Sequence, residues 1–313
     1  EIMPSLVGSE MCIRDSLNTC AYLEKNGFEI TYLDVDSEGF VSLEDVENAI
    51  TDKTILISVM FANNEIGTIE PVCEIGEIAH KHGILFHTDA VQAMCHVPIN
   101  VTEMNIDLLS ASAHKFHGPK GVGFMYMKNT AKLEPFIHGG AQERARRAGT
   151  SNVPGIVGMG QAVKLALGTL DKDTRTIINM RNYIVDRILG EITDVTFDGP
   201  CIDANADADV NAVSACCSPV CSLKRLPSNM HFCFKDVSGD SLLIMLDMNG
   251  ICASSGSACA AGSIDPSHVL LAIGRSKGET KGALRLSIDK DLTKEDADYA
   301  IDALKAAVAR LRG

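Results

Sequence analysis

Lys115 closes the run Ser110-Ala-Ser-Ala-His-Lys115 and leads into the Gly/Pro turn Phe116-His-Gly-Pro-Lys-Gly121. An amine placed directly after a histidine and a stretch of small residues suits an aldehyde cofactor. The lysine forms the Schiff base, while Ser112 and His114 point at a phosphate. Upstream, Gly83-Ile-Leu-Phe-His-Thr-Asp89 reads as a strand ending in a carboxylate, the partner a pyridine nitrogen needs. Each piece has an ordinary explanation. A loop lysine is most often a solvated charge, and an Asp at a strand end is most often a turn former or helix cap. Their order shifts the balance. One apolar run closes on Asp89, Gln92 follows, and a second run, Ile106 to Leu109, closes on Ser112, His114 and Lys115. That conjunction points to pyridoxal 5′-phosphate (PLP).

Three other groups carry candidate chemistry. In Ala253-Ser-Ser-Gly-Ser-Ala-Cys259-Ala-Ala-Gly-Ser263 nothing bulky pins the cysteine in a core. A mobile, exposed thiol of this kind suits a nucleophile, although on composition alone a plain flexible loop is the better reading. Neighbouring Cys252 sits among apolar residues and reads as structural. Arg285, inside the alternating Ala283-Leu-Arg-Leu-Ser287, either pairs structurally or clamps a carboxylate with its planar fork. Cys216, Cys217 and Cys221 form the one cluster that could take a metal, but lack a second pair at zinc-ribbon spacing, so no metal is expected.

The elements that must position these groups alternate between strand and helix. Phe28 to Val35 reads as a strand. Ser42 to Ile50 reads as a helix capped by Ser42, with Asp45 at the capping-box position. Thr54 to Phe61 is an apolar run ending in Asn63-Asn64-Glu65, Val72 to Lys81 is helical, and Ile84 to Thr88, Ile106 to Ser110 and Gly123 to Met127 are short strands. Such alternation, with strands buried on both faces, predicts a mostly parallel sheet flanked by helices, and ligands at the carboxyl ends of its strands. From Val153 the pattern changes. Ile156 to Leu170 and Thr174 to Leu189 read as two helices, Asn229 to Phe234 as a strand, and Asp240 to Met248 and Lys294 to Leu311 as helices; Cys201 to Leu223 reads as a loop. The expected domains are a cofactor-binding unit over 17–165 and a smaller α+β unit over 166–313 that carries the cysteine loop.

Composition bounds the partners. With 313 residues, 46% hydrophobic and 22% charged, the chain suits a soluble globular protein, and a net charge of −13 argues against nucleic acid or an anionic membrane. Charges or glycines interrupt the apolar runs, so no membrane span is expected. Residues 1–16 lack a charged start followed by an apolar core. Eleven irregularly spaced cysteines suit free thiols in a reducing cytoplasm.

Taken together, Asn63-Asn-Glu-Ile-Gly67, Asp89-Ala-Val-Gln92, Ser112-Ala-His-Lys115, His138-Gly-Gly140 with Arg147-Ala-Gly-Thr150, and Ser254-Ser-Gly-Ser-Ala-Cys259 resemble the cysteine desulfurases of the NifS/IscS kind. These are fold type I PLP enzymes of the class V aminotransferase group. The long cysteine loop followed by Asp265-Pro-Ser-His268 is similar to the NifS and IscS group more than to the shorter-loop SufS group. The resemblance runs from Leu17 to the C-terminus. It implies that Lys115 is the Schiff-base lysine and a proton shuttle, and that Asp89 pairs with the pyridinium nitrogen. Asn64 and Gln92 lie near the phenolic oxygen, with Asn64 also reaching the substrate carboxylate. Ser112 and His114 hold the phosphate, and Thr150 reaches the phosphate of a partner subunit's cofactor. Arg285 binds the carboxylate of L-cysteine, and Cys259 attacks its sulfur to leave alanine and a persulfide. A homodimer and an iron–sulfur scaffold or other sulfur acceptor are implied as partners. Rival readings are a selenocysteine lyase or other small-amino-acid lyase, and a non-catalytic relic that binds the scaffold.

The chain departs from the family before Leu17. Members carry there a Gly-Ser/Thr-rich phosphate loop and a histidine that stacks on the pyridine ring; here Arg14-Asp-Ser16 stands where that segment ends. Val7 to Asp15 resembles a translated sequencing adapter, so residues 1–16 are set aside as a non-native leader and the chain is expected to be a fragment of a longer enzyme.

Overall fold

The computed structural model describes residues 5–9, 14–202, 223–255 and 266–313. Strand β1 (Ser5–Ser9), helix α1 (Arg14–Lys25) and strand β2 (Glu29–Leu33) come first. Next are α2 (Leu43–Asn48), β3 (Thr54–Met60), α3 (Val72–Lys81), β4 (Leu85–Asp89), β5 (Leu108–Ser112) and β6 (Gly123–Met127). The six strands form one sheet in the order β2-β1-β3-β4-β5-β6, parallel throughout except for β6, which runs antiparallel to β5. The expected mostly parallel sheet is therefore present. Residues 1–16, set aside from the fold, contribute to it: Ser5–Ser9 lies between β2 and β3.

Local chemistry explains the helix starts. The Ser42 hydroxyl accepts the backbone N–H of Asp45 at 3.2 Å, as its N-cap position predicts, and satisfies a donor the first helical turn leaves open. On β3 and β4, alternate residues Ile57, Val59 and Phe86 turn inward and are fully buried with Ile75 and Ala79 of α3. Each of the larger ones contributes roughly 1.5–3 kcal/mol by leaving water. The opposite face differs from expectation. Ser58, His87 and Asp89 are only half-buried, so the central strands are not closed off on both sides.

After α4 (Gln142–Ala145), one helix of 39 residues, α5 (Val153–Glu191), replaces the two expected ones. No proline or αL residue interrupts Leu170-Asp-Lys-Asp-Thr174, so the hydrogen-bond ladder continues through it. The boundary expected between 165 and 166 falls inside this helix. Its first half supplies Ala162 to a small core with Phe116 and Ala113 beside β5, and its second half supplies Ile184, Val185 and Ile188 to the core of the C-terminal sheet. By length and composition α5 is also apolar enough to cross a membrane, contrary to the expectation that no stretch would be. Its most apolar window lies largely outside the core, with Val157 and Leu165 among its exposed residues.

The C-terminal sheet is antiparallel, β7 (Val195–Phe197), β8 (Asn229–Phe234) and β9 (Ala283–Ser287) in that order. Helices α6 (Gly239–Met248), α7 (His268–Ala272) and α8 (Lys294–Arg312) complete it. Alternation on β8 gives it two distinct faces. Phe232 and Phe234 join Leu242 of α6 and Leu304 of α8, whereas on the other face Asn229 reaches the Asn64 carbonyl, His231 bonds Asp198 and Cys233 packs with Ile66.

Candidate active site

Parallel register brings the strand ends of β3, β4 and β5 side by side, with Met60 opposite Asp89 and Asp89 opposite Ser110. The two-residue side-chain period then sets Ser58, His87, Asp89, Ser110 and Ser112 on one face. His87 bridges its neighbours: Nδ1 lies 2.8 Å from the Ser58 hydroxyl, and Nε2 lies 3.1 Å from that of Ser110. Burial drives the His87 pKa down to about 4, so the ring is neutral at physiological pH.

This has a sign that can be tested. The unfolded chain protonates His87 near its ordinary value of about 6.5, but the folded chain does so only near 4, so stability falls as pH drops through that window. The loss reaches on the order of 3 kcal/mol. Urea midpoints of His87→Asn between neutral pH and pH ~4.5 should fall less steeply than those of the parent. Parallel slopes for the two proteins would remove this assignment.

Asp89 ends β4 with one carboxylate oxygen accepting the N–H of Val91 at 2.9 Å. That bond starts the turn Ala90–Met94, which carries a half-buried Gln92. On β5 the chain passes from Ser112 directly into a single 3-10 turn, Ala113–Phe116. Ser112 Oγ and His114 Nδ1 are 2.8 Å apart, and the exposed Lys115 follows. The Lys115 carbonyl is held by His96 Nε2 at 2.8 Å, which fixes the backbone from which the amine projects. The turn closes through His117 in the left-handed region and Gly118, where a Cβ would meet the Ala113 carbonyl oxygen at 2.8 Å.

The loop after β3 is sewn to the same strand ends: the N–H of Phe61 donates to the Asp89 carbonyl at 2.8 Å. Asn63 shapes this loop, its side-chain oxygen accepting the N–H groups of Glu65 (2.8 Å) and Ile66 (3.0 Å). From the small sheet, Arg285 donates to the Asn64 carbonyl at 2.8 Å and Asn229 to the same oxygen at 3.3 Å. The buried Arg225 donates to the Ile66 carbonyl at 2.8 Å and the Pro200 carbonyl at 2.8 Å. Asn64 and Arg285, far apart in sequence, are therefore in contact.

Other expected residues stand apart. Cys259 lies outside the described residues, as do Cys216, Cys217 and Cys221. Thr150 is exposed on the segment between α4 and α5. Cys252, read as structural among apolar residues, is exposed at the edge of a cavity of about 400 Å³ lined by the apolar Ile184, Leu286 and Leu304. Sequence reasoning assigned nothing to His87, Glu65, Asn229 or Arg225. Glu65 stood inside a quoted motif, but only burial distinguishes it from a solvated acid. A further buried group, Asp198, His231 and Cys233, is held internally: Asp198 accepts from His231 at 2.8 Å and from Arg275 at 2.6 Å.

A carboxylate, a hydroxyl, an imidazole and an amine thus converge at adjacent strand ends. This donor set matches the pyridine nitrogen, phosphate and aldehyde of PLP, and neutral His87 beneath it adds no competing charge. The aminotransferase class-V family matches residues 7–219 and 210–300. The cysteine desulfurase IscS of Clostridium botulinum (strain Hall) is 51% identical over 296 residues, covering 95% of this chain and 70% of that protein. The chain belongs to the NifS/IscS-type cysteine desulfurases. Among solved structures, a NifS-like protein superposes with a TM-score of 0.84 at 32% identity, covering 98% of this chain and 75% of that one. SspA in complex with cysteine superposes with a TM-score of 0.72 at 35% identity, covering 93% and 75%. The fold is that of type I PLP enzymes, and PLP is the desulfurase cofactor.

Proposed function

We propose that this chain converts L-cysteine to L-alanine and carries the released sulfur as a persulfide on Cys259. The observation that carries the reading is the junction of the Asp89 and Ser112–Lys115 strand ends with the Asn64–Arg285 contact. Asp89 would hold the pyridine nitrogen, Ser112 and His114 the phosphate, and Lys115 the aldehyde carbon, with Asn64 and Gln92 available to the phenolic oxygen. Bound PLP supplies an electron sink for charge developing on the substrate. Arg285 orients the cysteine carboxylate with its fork, beside Asn64. Lys115 moves protons at the substrate carbons. The Cys259 thiolate attacks the substrate sulfur: the Cβ–S bond breaks, an S–S bond forms, and the carbon takes a proton to become the alanine methyl. The outer sulfur then passes to a thiol of an iron–sulfur scaffold or another acceptor protein.

A homodimer with composite sites fits the same picture. Thr150 sits on an exposed segment between apolar side chains left in solvent, Phe136 and Ile137 on one side and Val153 and Val157 on the other. A second copy would cover them and receive Thr150 at its cofactor phosphate. Six free cysteines among the described residues suit the reducing cytoplasm. The test is one preparation with PLP and L-cysteine. Alanine should appear with a one-sulfur mass gain on the Cys259 peptide, and the active species should sediment as a dimer. Absence of alanine would remove the reading, and an active monomer would remove the composite site.

A further inference from the structure

We propose that Glu65 and Ser267 form a clamp that positions the segment bearing Cys259 for sulfur transfer, making both positioning residues rather than cofactor ligands. The proposal rests on the desulfurase reading above.

The segment between 255 and 266 joins two stems whose ends are both described. The upstream stem is zipped to β9. Ser254 and Arg285 exchange two backbone hydrogen bonds, Arg285 N–H to the Ser254 carbonyl at 2.6 Å and Ser254 N–H to the Arg285 carbonyl at 3.2 Å. The downstream stem enters α7 at Ser267, whose hydroxyl donates to Glu65 Oε2 at 2.6 Å across 202 residues of sequence. Glu65 is only 3% exposed. A carboxylate in such a place is costly unless hydrogen-bonded, and hydrogen bonds to charged groups are among the stronger ones.

Both stems lead to one mount. Glu65 belongs to the Asn63–Gly67 loop, and the Arg285 that grips the upstream stem donates its guanidinium N–H to Asn64 in that same loop. The loop is itself rigid. Asn63 accepts two of its N–H groups, Arg225 holds the Ile66 carbonyl, and Gly67 adopts φ +80°, where a Cβ would strike Asn229 Oδ1 at 2.8 Å. Through Phe61 it is bonded to the backbone of Asp89. The groups that receive the substrate and the anchor of the nucleophile's downstream stem thus share one piece of backbone. Freeing that anchor leaves the Asn64–Arg285 contact and the Phe61–Asp89 bond in place and releases the stem at Ser267.

Glu65→Ala and Ser267→Ala should slow persulfide formation on Cys259 by about tenfold or more, since small misplacement of a reacting group has effects of that size. Cofactor absorbance and the cysteine concentration for half-saturation should stay at the parent values. Ser267 also caps α7 through the Leu270 N–H at 3.3 Å, so its loss mixes two effects. Ser267→Asp separates them, because it keeps a capping oxygen but sets a second carboxylate against Glu65; it should be as slow as Glu65→Ala. Glu65→Gln, whose amide oxygen still accepts the Ser267 proton, should recover most of the rate. A rate unchanged in Glu65→Ala, a loss that tracks loss of cofactor, or failure of Glu65→Gln to recover would each overturn the clamp. A second readout needs no activity: urea unfolding of the cofactor-free protein should show a Glu65→Ala/Ser267→Ala double mutant less destabilised than the sum of the singles. Strict additivity there overturns the clamp even if the parent forms no persulfide, an outcome that by itself would sink only the desulfurase reading.

Discussion

Lys115→Ala should give a folded but colourless protein with essentially no turnover. The parent, saturated with PLP, should be yellow, because an amine joined to the cofactor's aldehyde carbon shifts absorption beyond the protein band. The backbone reason for expecting an intact fold is local. Lys115 is exposed, and it is its carbonyl, not its amine, that His96 holds at 2.8 Å. Replacing the side chain removes the covalent anchor and the proton carrier together. A loss of about 10³-fold or more in alanine production is the expected size when a nucleophilic group that also moves protons is deleted. Ultraviolet–visible spectra of the two proteins, with alanine assays alongside, decide it. A Lys115→Ala protein that remains yellow after dialysis would mean another amine holds the cofactor.

Cys259→Ala should separate cofactor chemistry from sulfur transfer. The proposed PLP-holding residues lie on β4, at the end of β5 and in the turn after it, whereas Cys259 follows a different stem, the one paired to β9 at Ser254. The variant should therefore keep its yellow colour and bind cysteine, yet form no persulfide and lose about 10²-fold or more of its sulfide and alanine output. Cys252→Ala and Cys216→Ala should keep most activity. Cys252 lines an apolar cavity with Ile184 and Leu304 rather than the strand ends, and Cys216 is read from sequence as incidental to the reaction. Alanine production by Cys259→Ala near the parent rate would identify another group as the nucleophile.

Much of this site was legible in the chain. Lys115, His114 and Ser112 are adjacent in sequence, and Asp89 closes a strand two elements earlier; a parallel sheet needs only its register to bring such strand ends together. β6, β8 and β9 were also legible to the residue, because period-two alternation and flanking Gly or Asp mark short strands well. Local pattern did not reveal the continuity of α5, since its middle is polar like a linker and only the absence of a backbone breaker keeps it helical. Nor did it reveal that Ser5–Ser9 pairs with β2 and β3, which is a matter of long-range register.

Side-chain chemistry at the strand ends was determined by residue type and order alone, because reactivity belongs to an amine, a carboxylate or an imidazole wherever the fold puts it. The contact between the Arg285 guanidinium and the Asn64 carbonyl, which the sequence did not reveal, appears only in the tertiary structure. Glu65 looked like any surface acid until the chain brought Ser267 to it from 202 residues away and closed water out. His87 likewise became a neutral bridge only once Ser58 and Ser110 flanked it. In all three cases the deciding quantity is burial together with a partner remote in sequence. Only the packed tertiary structure supplies it, since the cost of desolvating a polar group and the bond that offsets it both depend on neighbours that sequence proximity does not specify.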